Sequence, residues 1–377
     1  MPRMPNVTLF LGAGFSRAFS HGMSDQIPVV TDLFPRILDT LDSFPSGFSD
    51  QVLDAAKRIF PHKTPREIDF ESFLSAIDDL RRNQNRFRSR RMGNIDADNI
   101  WYLIGSALGS SITFKSELNK YSRYKLHPRM NILIEVLEEI RKRCNSVSII
   151  TTNYDLVADK ATGWINDRLL GHKNLDTPAP DLRRYTYGEY VRGIWQAKYE
   201  RSEFLEDVEP WSEFREGIQI YKIHGSINWS YCGTCKALDL SRTRYELSSV
   251  YNWKQPPCAQ CGAPYNWLIV PPVSEKMYDN EIIKRTWRSA EIALAKSDRL
   301  VFIGYKLSPI DSAVERLIVL SKAMAGHAWE TWVFNDQKEV HDRFEKVIGQ
   351  TKTQGLPMLF EFETFKEKFM KQILRPV

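Results

Sequence analysis

The stretch that most constrains the fold of this chain is a largely apolar run that ends in a glycine pair, VTLFLGAGFS at residues 7–16. The run from Val7 to Leu11 predicts a strand buried on both faces, as in a parallel sheet. Gly12 and Gly14 then predict a sharp turn that lets amide groups at the start of the next helix face a phosphate. The pattern indicates a dinucleotide site, although strands that end in Gly-x-Gly also occur at turns that bind nothing.

The form of this fingerprint that is typical of hydride-transfer enzymes does not fit. Arg17 stands where that fingerprint has Gly or Ala. Pro28 and Pro35 fall where it needs a second strand, which should end in an acidic residue about 20 residues further on. The sequence therefore disfavours a dehydrogenase.

Length and composition set broad limits. With 377 residues and 42% hydrophobic content, the chain can form one large core with inserts or two domains. A net charge of +5 is too small to predict a nucleic-acid partner. No apolar run approaches the roughly 20 residues that span a bilayer, and no signal pattern is evident, so a soluble, cytoplasmic protein without a membrane partner is expected.

A long helical segment separates the first and second predicted strands, at residues 32–145. Apolar residues recur there at helical spacing in four places: Leu33, Ile37, Leu38 and Leu41; Val52, Ala55, Ala56 and Ile59; Phe70, Phe73, Leu74 and Ile77; Leu133, Val136, Leu137 and Ile140. An arginine-rich run at 81–91 is interpreted as a solvated helix end and loop, with an anionic or protein partner as the alternative.

Polar residues follow each of the later core strands. Strands are predicted at 147–150, 219–223, 299–303 and 332–334, and they lead into Thr151–Asp155, His224-Gly225, Gly304–Asp311 and Asn335-Asp336. Because the carboxyl ends of parallel strands line one crevice, these residues should face the same cleft as the first glycine pair. Asn153 and Asp155 could instead cap a helix, and the two roles are compatible. A lone histidine is usually structural, but the position of His224 at the end of a core strand favours function.

Further elements are predicted toward the end of the chain. A strand at 267–270, an amphipathic helix at 281–296, an edge strand at 358–362 and a closing helix at 365–374 complete an α/β pattern.

Four cysteines form two CxxC pairs, Cys232 with Cys235 and Cys258 with Cys261. This spacing lets each pair hold one tetrahedral metal ion, and the 22 intervening residues suffice for a small hairpin module. Four thiolates leave no position for water, which predicts a structural zinc ion. A redox CxxC would explain one pair only, and Cys144 is interpreted as a buried small hydrophobe.

Together these motifs resemble the sirtuin family. The resemblance covers GAGFS at 12–16, TTNYD at 151–155, the His224-Gly225 pair, the four cysteines, the loop 304–308 and Asn335. The resemblance implies a Rossmann-like, parallel α/β domain that comprises residues 1–31 and 146–377 and binds NAD. The zinc module, at about 230–265, would lie inside this domain, and the helical insert would occupy 32–145. The helical insert lies outside the resemblance.

The resemblance also implies roles for individual residues. The catalytic residues would be Asn153, Asp155 and His224. The NAD-binding residues would be Gly12, Ala13, Gly14, Ser16, Thr152, Asn153, Asp155, Gly304, Tyr305, Ser308, Asp311 and Asn335. The glycine loop and Ser16 would bind the pyrophosphate, and Gly304, Ser308, Asp311 and Asn335 the adenosine side.

Two departures from the sirtuin deacylases bear on function. Residues 271–276 replace the segment that helps those enzymes bind an acylated peptide, and 304–311 is similar to the GYSxxxxD variant of bacterial sirtuin-like proteins of anti-phage defence. The resemblance thus implies an NAD hydrolase that forms homo-oligomers and is triggered by a HerA-type ATPase, an Argonaute-like protein or a phage component. A protein deacylase and a non-catalytic sensor of NAD or ADP-ribose are the alternatives.

Overall fold

A computed structural model describes residues 3–20, 26–43, 47–82, 95–112, 128–169, 217–239, 257–258, 260–271, 280–309 and 311–354. Its strands are β1 (Asn6–Leu11), β2 (Ser146–Thr151), β3 (Ile218–Lys222), β4 (Gly225–Cys232), β5 (Leu238–Asp239), β6 (Tyr265–Ile269), β7 (Arg299–Ile303), β8 (Glu330–Phe334) and β9 (Lys352–Gln354). Its helices are α1 (Ala13–Phe19), α2 (Val30–Asp42), α3 (Phe48–Ile59), α4 (Phe70–Arg82), α5 (Ala97–Ser111), α6 (Pro128–Arg143), α7 (Val157–Leu169), α8 (Glu281–Lys296), α9 (Ser312–Ala325) and α10 (Lys338–Ile348).

The main sheet is parallel and has the strand order β3-β2-β1-β7-β8-β9. Strand β1 lies at its centre, between β2 on one side and β7 on the other. Both faces are covered, and all five residues of β7 are buried. The strand order reverses at β1, and ligands of open α/β sheets bind at such a switch point, beyond the carboxyl ends of the strands.

A second, smaller sheet carries the cysteine module. It is antiparallel, with the order β5-β4-β6. Strand β4 starts directly after the main-sheet strand β3 and runs to Cys232, so the module continues from the edge of the large sheet.

The insert packs onto this framework through its apolar faces. Helix α5 contacts both β4 and β6 of the smaller sheet. A Cβ atom at Gly105 would lie 2.2 Å from the Trp267 ring, so only glycine lets α5 approach β6 this closely.

The structure confirms the predicted parallel α/β fold and the helices at the four periodic stretches of the insert. Strand β7 and helix α8 have the bounds that the sequence predicts. The strand expected at 267–270 is β6 and belongs to the smaller sheet. Strand β9 was not predicted, whereas the strand at 358–362 and the helix at 365–374 lie outside the described residues. Cys144 is buried as expected, and burial raises its thiol pKa to about 12.

Within the described ranges, no helix is both long and apolar enough to cross a bilayer.

Candidate active site

The two glycine loops at the switch point interlock. The Gly12 amide donates to the Ile303 carbonyl and the Gly14 amide to the Gly304 carbonyl, each at 3.0 Å. A Cβ atom at Gly12 would lie 2.5 Å from the Tyr305 Cα, and one at Gly304, where φ is +63°, would lie 2.2 Å from the backbone of the first loop. These glycines are therefore required by the packing of one loop on the other, whatever the loops bind.

Asn153 is fastened to the first of these loops. Its side-chain amide donates to the Gly12 carbonyl at 3.0 Å and to the Ser16 Oγ at 2.9 Å. Its backbone amide donates to the Thr151 Oγ1 at 3.0 Å, which tightens the turn after β2. Because the NH₂ group is engaged, the Oδ1 atom is the part of this side chain that remains for a ligand.

Ser16 connects Asn153 to Asp155. The Ser16 side chain is buried, its hydroxyl accepts from the Asn153 side-chain amide, and the same hydroxyl acts on the carboxylate of Asp155. Burial raises the pKa of Asp155, while Lys222 and the Ser16 hydroxyl lower it in part. Asp155 also accepts from the Val157 amide at 2.9 Å, so it caps the start of α7 as one of the sequence alternatives expected.

A buried ion pair lies next to the loop that carries Asp155. The Lys222 ammonium lies 3.0 Å from the Asp159 carboxylate, and both side chains are at most 1% exposed. Lys222 also donates to the backbone carbonyl of Asp155. This lysine, which ends β3, therefore links the loop of Asp155 to helix α7.

His224 lies at the junction of the two sheets. Its side chain is 2% exposed. Its carbonyl accepts from the Val270 amide at 2.9 Å, and the preceding carbonyl of Ile223 accepts from the Trp287 indole at 2.7 Å. The next residue, Gly225, has φ +79°, and a Cβ atom there would lie 2.0 Å from the Leu268 carbonyl oxygen. The glycine of the His-Gly pair is thus set by the close approach of β6.

Asp311 lies beside the histidine. Its Oδ1 atom is 3.6 Å from the His224 Nε2, and its Oδ2 atom accepts from the Tyr305 hydroxyl at 2.8 Å. Burial raises the pKa of Tyr305 well above its usual value, and the Asp311 carboxylate raises it further.

Asn335 joins the ends of β7 and β8. Its side-chain NH₂ group contacts the Tyr305 carbonyl at 3.4 Å, and its Oδ1 accepts from the Gln337 amide at 3.0 Å.

Thr152 is half-buried, with its amide 3.4 Å from the Leu11 carbonyl, and Ser308 is half-buried in the loop after β7. The structure thus brings the expected residues to one edge of the sheet, and their roles toward a nucleotide remain predictions.

Glu71 adds a carboxylate from the insert. It lies in the first turn of α4 and interacts electrostatically with His224 and Asp311. Burial raises its pKa from 4.5 to about 7, an effect that His224 opposes and Asp311 reinforces. The sequence analysis did not identify Glu71 or Lys222. The signal for Lys222 is a charged residue inside an otherwise apolar strand, whereas nothing in the helical pattern around Glu71 distinguishes it.

The four cysteine side chains converge. Their Sγ atoms lie within 4.8 Å of one another, and two pairs, Cys232 with Cys261 and Cys235 with Cys258, are 3.5 Å apart. Four thiolates around one zinc ion at about 2.3 Å would be spaced at about 3.8 Å. The donor set and its spacing therefore fit a tetrahedral zinc ion.

The two CxxC turns have the same local geometry. The Cys232 amide donates to the Ala237 carbonyl at 2.8 Å, and the Cys258 amide donates to the Ala263 carbonyl at 2.6 Å. The residue after each second cysteine, Lys236 or Gly262, has positive φ. Such paired turns direct two thiols toward a common centre. One turn lies at the end of β4 and the other just before β6, and His224 and Val270, which hydrogen-bond to each other, flank the opposite ends of these two strands.

Comparison with known proteins agrees with the predicted family. The model of the SIR2-like domain matches residues 147–348, more than half of the chain. The chain therefore belongs to the SIR2-like, or sirtuin-like, family, which supports an NAD-dependent activity of the sirtuin type. No curated protein sequence matches significantly.

Solved structures with a similar chain course include Sir2 proteins. One is a Sir2 variant with a deacetylated p53 peptide and 3′-O-acetyl ADP-ribose, at 12% identity and a TM-score of 0.44, with 97% of this chain and 92% of that chain covered. Another is a Sir2 homologue variant with ADP-ribose, at 10% identity and a TM-score of 0.40, with 97% and 93% covered. At these values the family assignment depends on the domain match alone.

Proposed function

We propose that this protein is an NAD glycohydrolase, which cleaves NAD to nicotinamide and ADP-ribose. The observation that carries the proposal is the grouping of a buried histidine with a carboxylate, His224 and Asp311, at the sheet edge where Asn153 is clamped to the first glycine loop. These groups supply a base and an immobilised amide oxygen, which the hydrolysis of an N-glycosidic bond requires.

The proposed reaction breaks the bond between the ribose C1′ atom and the nicotinamide nitrogen. Nicotinamide leaves with the bonding electron pair and becomes neutral, and an oxocarbenium-like ribose remains. The Oδ1 atom of Asn153 would accept a hydrogen bond from the ribose or from the attacking water, and Asp155 would lie on the nicotinamide side. Water then bonds to C1′ and its proton passes to His224, so that NAD⁺ and water give nicotinamide, ADP-ribose and a proton.

The remaining assignments concern binding of the nucleotide. The Gly12 amide already donates to the last residue of β7 and the Gly14 amide to the loop after β7. We therefore assign the pyrophosphate to the Ala13 amide, which has no partner four residues earlier within α1. Gly304, Ser308 and Asn335 would line the adenosine side. Zinc, held by Cys232, Cys235, Cys258 and Cys261, would stabilise β4 and β6 and take no part in the reaction.

The test is nicotinamide release by the purified full chain, with and without an acyl-lysine peptide, with His224→Ala as the inactive control. Release without peptide that is absent in the variant supports the hydrolase. Release only with peptide would identify a deacylase instead, and NAD binding without release would identify a sensor.

The resemblance to bacterial sirtuin-like proteins supports a further proposal, that the enzyme depletes NAD as an effector of anti-phage defence. It would act in the cytoplasm as a homo-oligomer, activated by a HerA-type ATPase, an Argonaute-like protein or a phage component. Expression of the chain in infected cells should lower cellular NAD, and expression of His224→Ala should not. Equal NAD levels in both cultures would contradict this role.

A further inference from the structure

Two buried polar atoms face each other at the histidine. The His224 Nε2 and the Asp311 Oδ1 are 3.6 Å apart, and neither has a hydrogen-bond partner among the described residues. Their side chains are 2% and 5% exposed. A buried polar atom left without a hydrogen bond destabilises the folded state. Since catalytic hydrogen bonds are often long before substrate binds, the pair has the geometry of a contact that closes by a few tenths of an ångström.

Asp311 does not act as a helix cap, although it occupies the position where aspartate usually caps. It is the N-cap residue of α9, yet its side chain forms no hydrogen bond to the amides of that helix. The carboxylate instead accepts from the Tyr305 hydroxyl through Oδ2, which leaves Oδ1 next to the histidine. The Asp311 carboxylate is thus oriented by the Tyr305 hydroxyl and not by the amides of α9.

Glu71 is the other carboxylate that acts on His224. Its interaction is electrostatic, and it forms no ion pair with His224 in the described part of the chain. Among the residues that the structure describes, Asp311 is therefore the carboxylate that lies within 4 Å of a ring nitrogen of His224.

We propose that Asp311 is the positioning residue of His224 and that the Tyr305 hydroxyl orients it. This inference rests on the proposed hydrolase function and replaces the adenosine-side role that the resemblance implies for Asp311. The Asp311 carboxylate accepts a hydrogen bond from the Nε2–H group of His224, which fixes the ring and its tautomer. Nδ1 is then the unprotonated nitrogen that receives the proton of the attacking water, and the imidazolium that forms lies against the negative charge of Asp311.

The substitution Asp311→Asn tests the proposal because asparagine keeps the size and loses the charge. The Tyr305 hydroxyl would bind the amide oxygen, which turns the NH₂ group toward His224 and forces Nε2 to become an acceptor. The histidine then carries its proton on Nδ1, the wrong nitrogen for a base. We expect kcat for NAD hydrolysis to fall by about 10³–10⁴-fold, as for the corresponding change in other His–Asp pairs, while KM and NAD affinity change less than about threefold.

Two further variants complete the kinetic test. Tyr305→Phe removes the hydroxyl alone and should give a smaller loss in kcat. Asp342→Asn, on the exposed surface of α10, is the matched control and should leave kcat unchanged. A loss of NAD affinity with kcat retained in Asp311→Asn would overturn the proposal in favour of an adenosine contact.

A measurement on the ligand-free protein separates this inference from the hydrolase function itself. Two-dimensional ¹H–¹⁵N spectra of histidine-labelled full chain report which ring nitrogen carries the proton, and with seven histidines in the chain His224 can be assigned from the signal that His224→Gln removes. We expect an Nε2–H tautomer in the wild type and an Nδ1–H tautomer in Asp311→Asn. The same tautomer in both proteins would refute the positioning role, whether or not the enzyme hydrolyses NAD.

Discussion

Replacement of Glu71 by glutamine should remove a loss of stability that the wild type undergoes as the pH rises. The free energy of unfolding of the variant, relative to that of the wild type, should therefore be larger in alkaline than in acidic solution. Burial raises the pKa of Glu71 from 4.5 to about 7, so the folded state binds the proton more tightly than the unfolded state does. Between these two values, wild-type stability therefore decreases as the pH rises. At 1.36 kcal/mol per pKa unit the whole shift corresponds to about 3.4 kcal/mol, of which about 2.5 kcal/mol is lost between pH 5 and pH 8.5. Glutamine carries no charge at either pH and avoids the loss.

Urea unfolding at pH 5 and at pH 8.5 measures this effect. The difference in the free energy of unfolding between Glu71→Gln and the wild type should shift by about 2.5 kcal/mol in favour of the variant between the two pH values. Contributions of groups that do not interact with Glu71 cancel in that difference. Glu345→Gln, an exposed change on α10, is the matched control and should show no such shift. A difference for Glu71→Gln that is the same at both pH values would refute the reasoning.

Three other perturbations test the support of the site. Lys222→Met removes the cation that faces the buried Asp159 and should lower the free energy of unfolding in urea by about 3–5 kcal/mol. The double variant Lys222→Met/Asp159→Leu should recover most of this loss. Equal stability of the single variant and the wild type would contradict a structural ion pair. Gly225 has positive φ, and Gly225→Ala places a Cβ atom 2.0 Å from the Leu268 carbonyl oxygen, so it should lower both the melting temperature and nicotinamide release. Gly233→Ala, whose Cβ atom meets no atom within 4 Å, should lower neither. Removal of zinc with a chelator should lower the melting temperature and the activity together, and full activity of metal-free protein would refute the role of zinc in holding β4 and β6.

The core of the fold could be predicted from the sequence because its signals are local. The strand at 299–303 contains a continuous apolar run at 300–303, and both CxxC pairs carry their spacing in the sequence itself. Strand β9 has only three residues, Lys352–Gln354, of mixed polarity, so no apolar pattern marks it. It exists because the edge of β8 offers backbone partners, which is a tertiary effect.

The candidate site was only partly predictable because some of its contacts depend on tertiary packing. The order of motifs placed Asn153 and His224 at strand ends, and the structure brings both to the same edge of the sheet. The partner of His224, however, depends on how the loop after β7 turns back, and the sequence alone assigned Asp311 to the nucleotide. Glu71 comes from an insert more than 150 residues before His224, and only the packing of α4 reveals that the two interact.

The most direct test of the account is nicotinamide release from NAD alone by the purified full chain, alongside Asn153→Ala and His224→Ala, with melting temperatures measured for all three proteins. We predict one nicotinamide and one ADP-ribose for each NAD consumed by the wild type, and a loss of at least about 100-fold in each folded variant. Wild-type protein that binds NAD without cleaving it, or folded variants that keep the wild-type rate, would contradict the proposed hydrolase site.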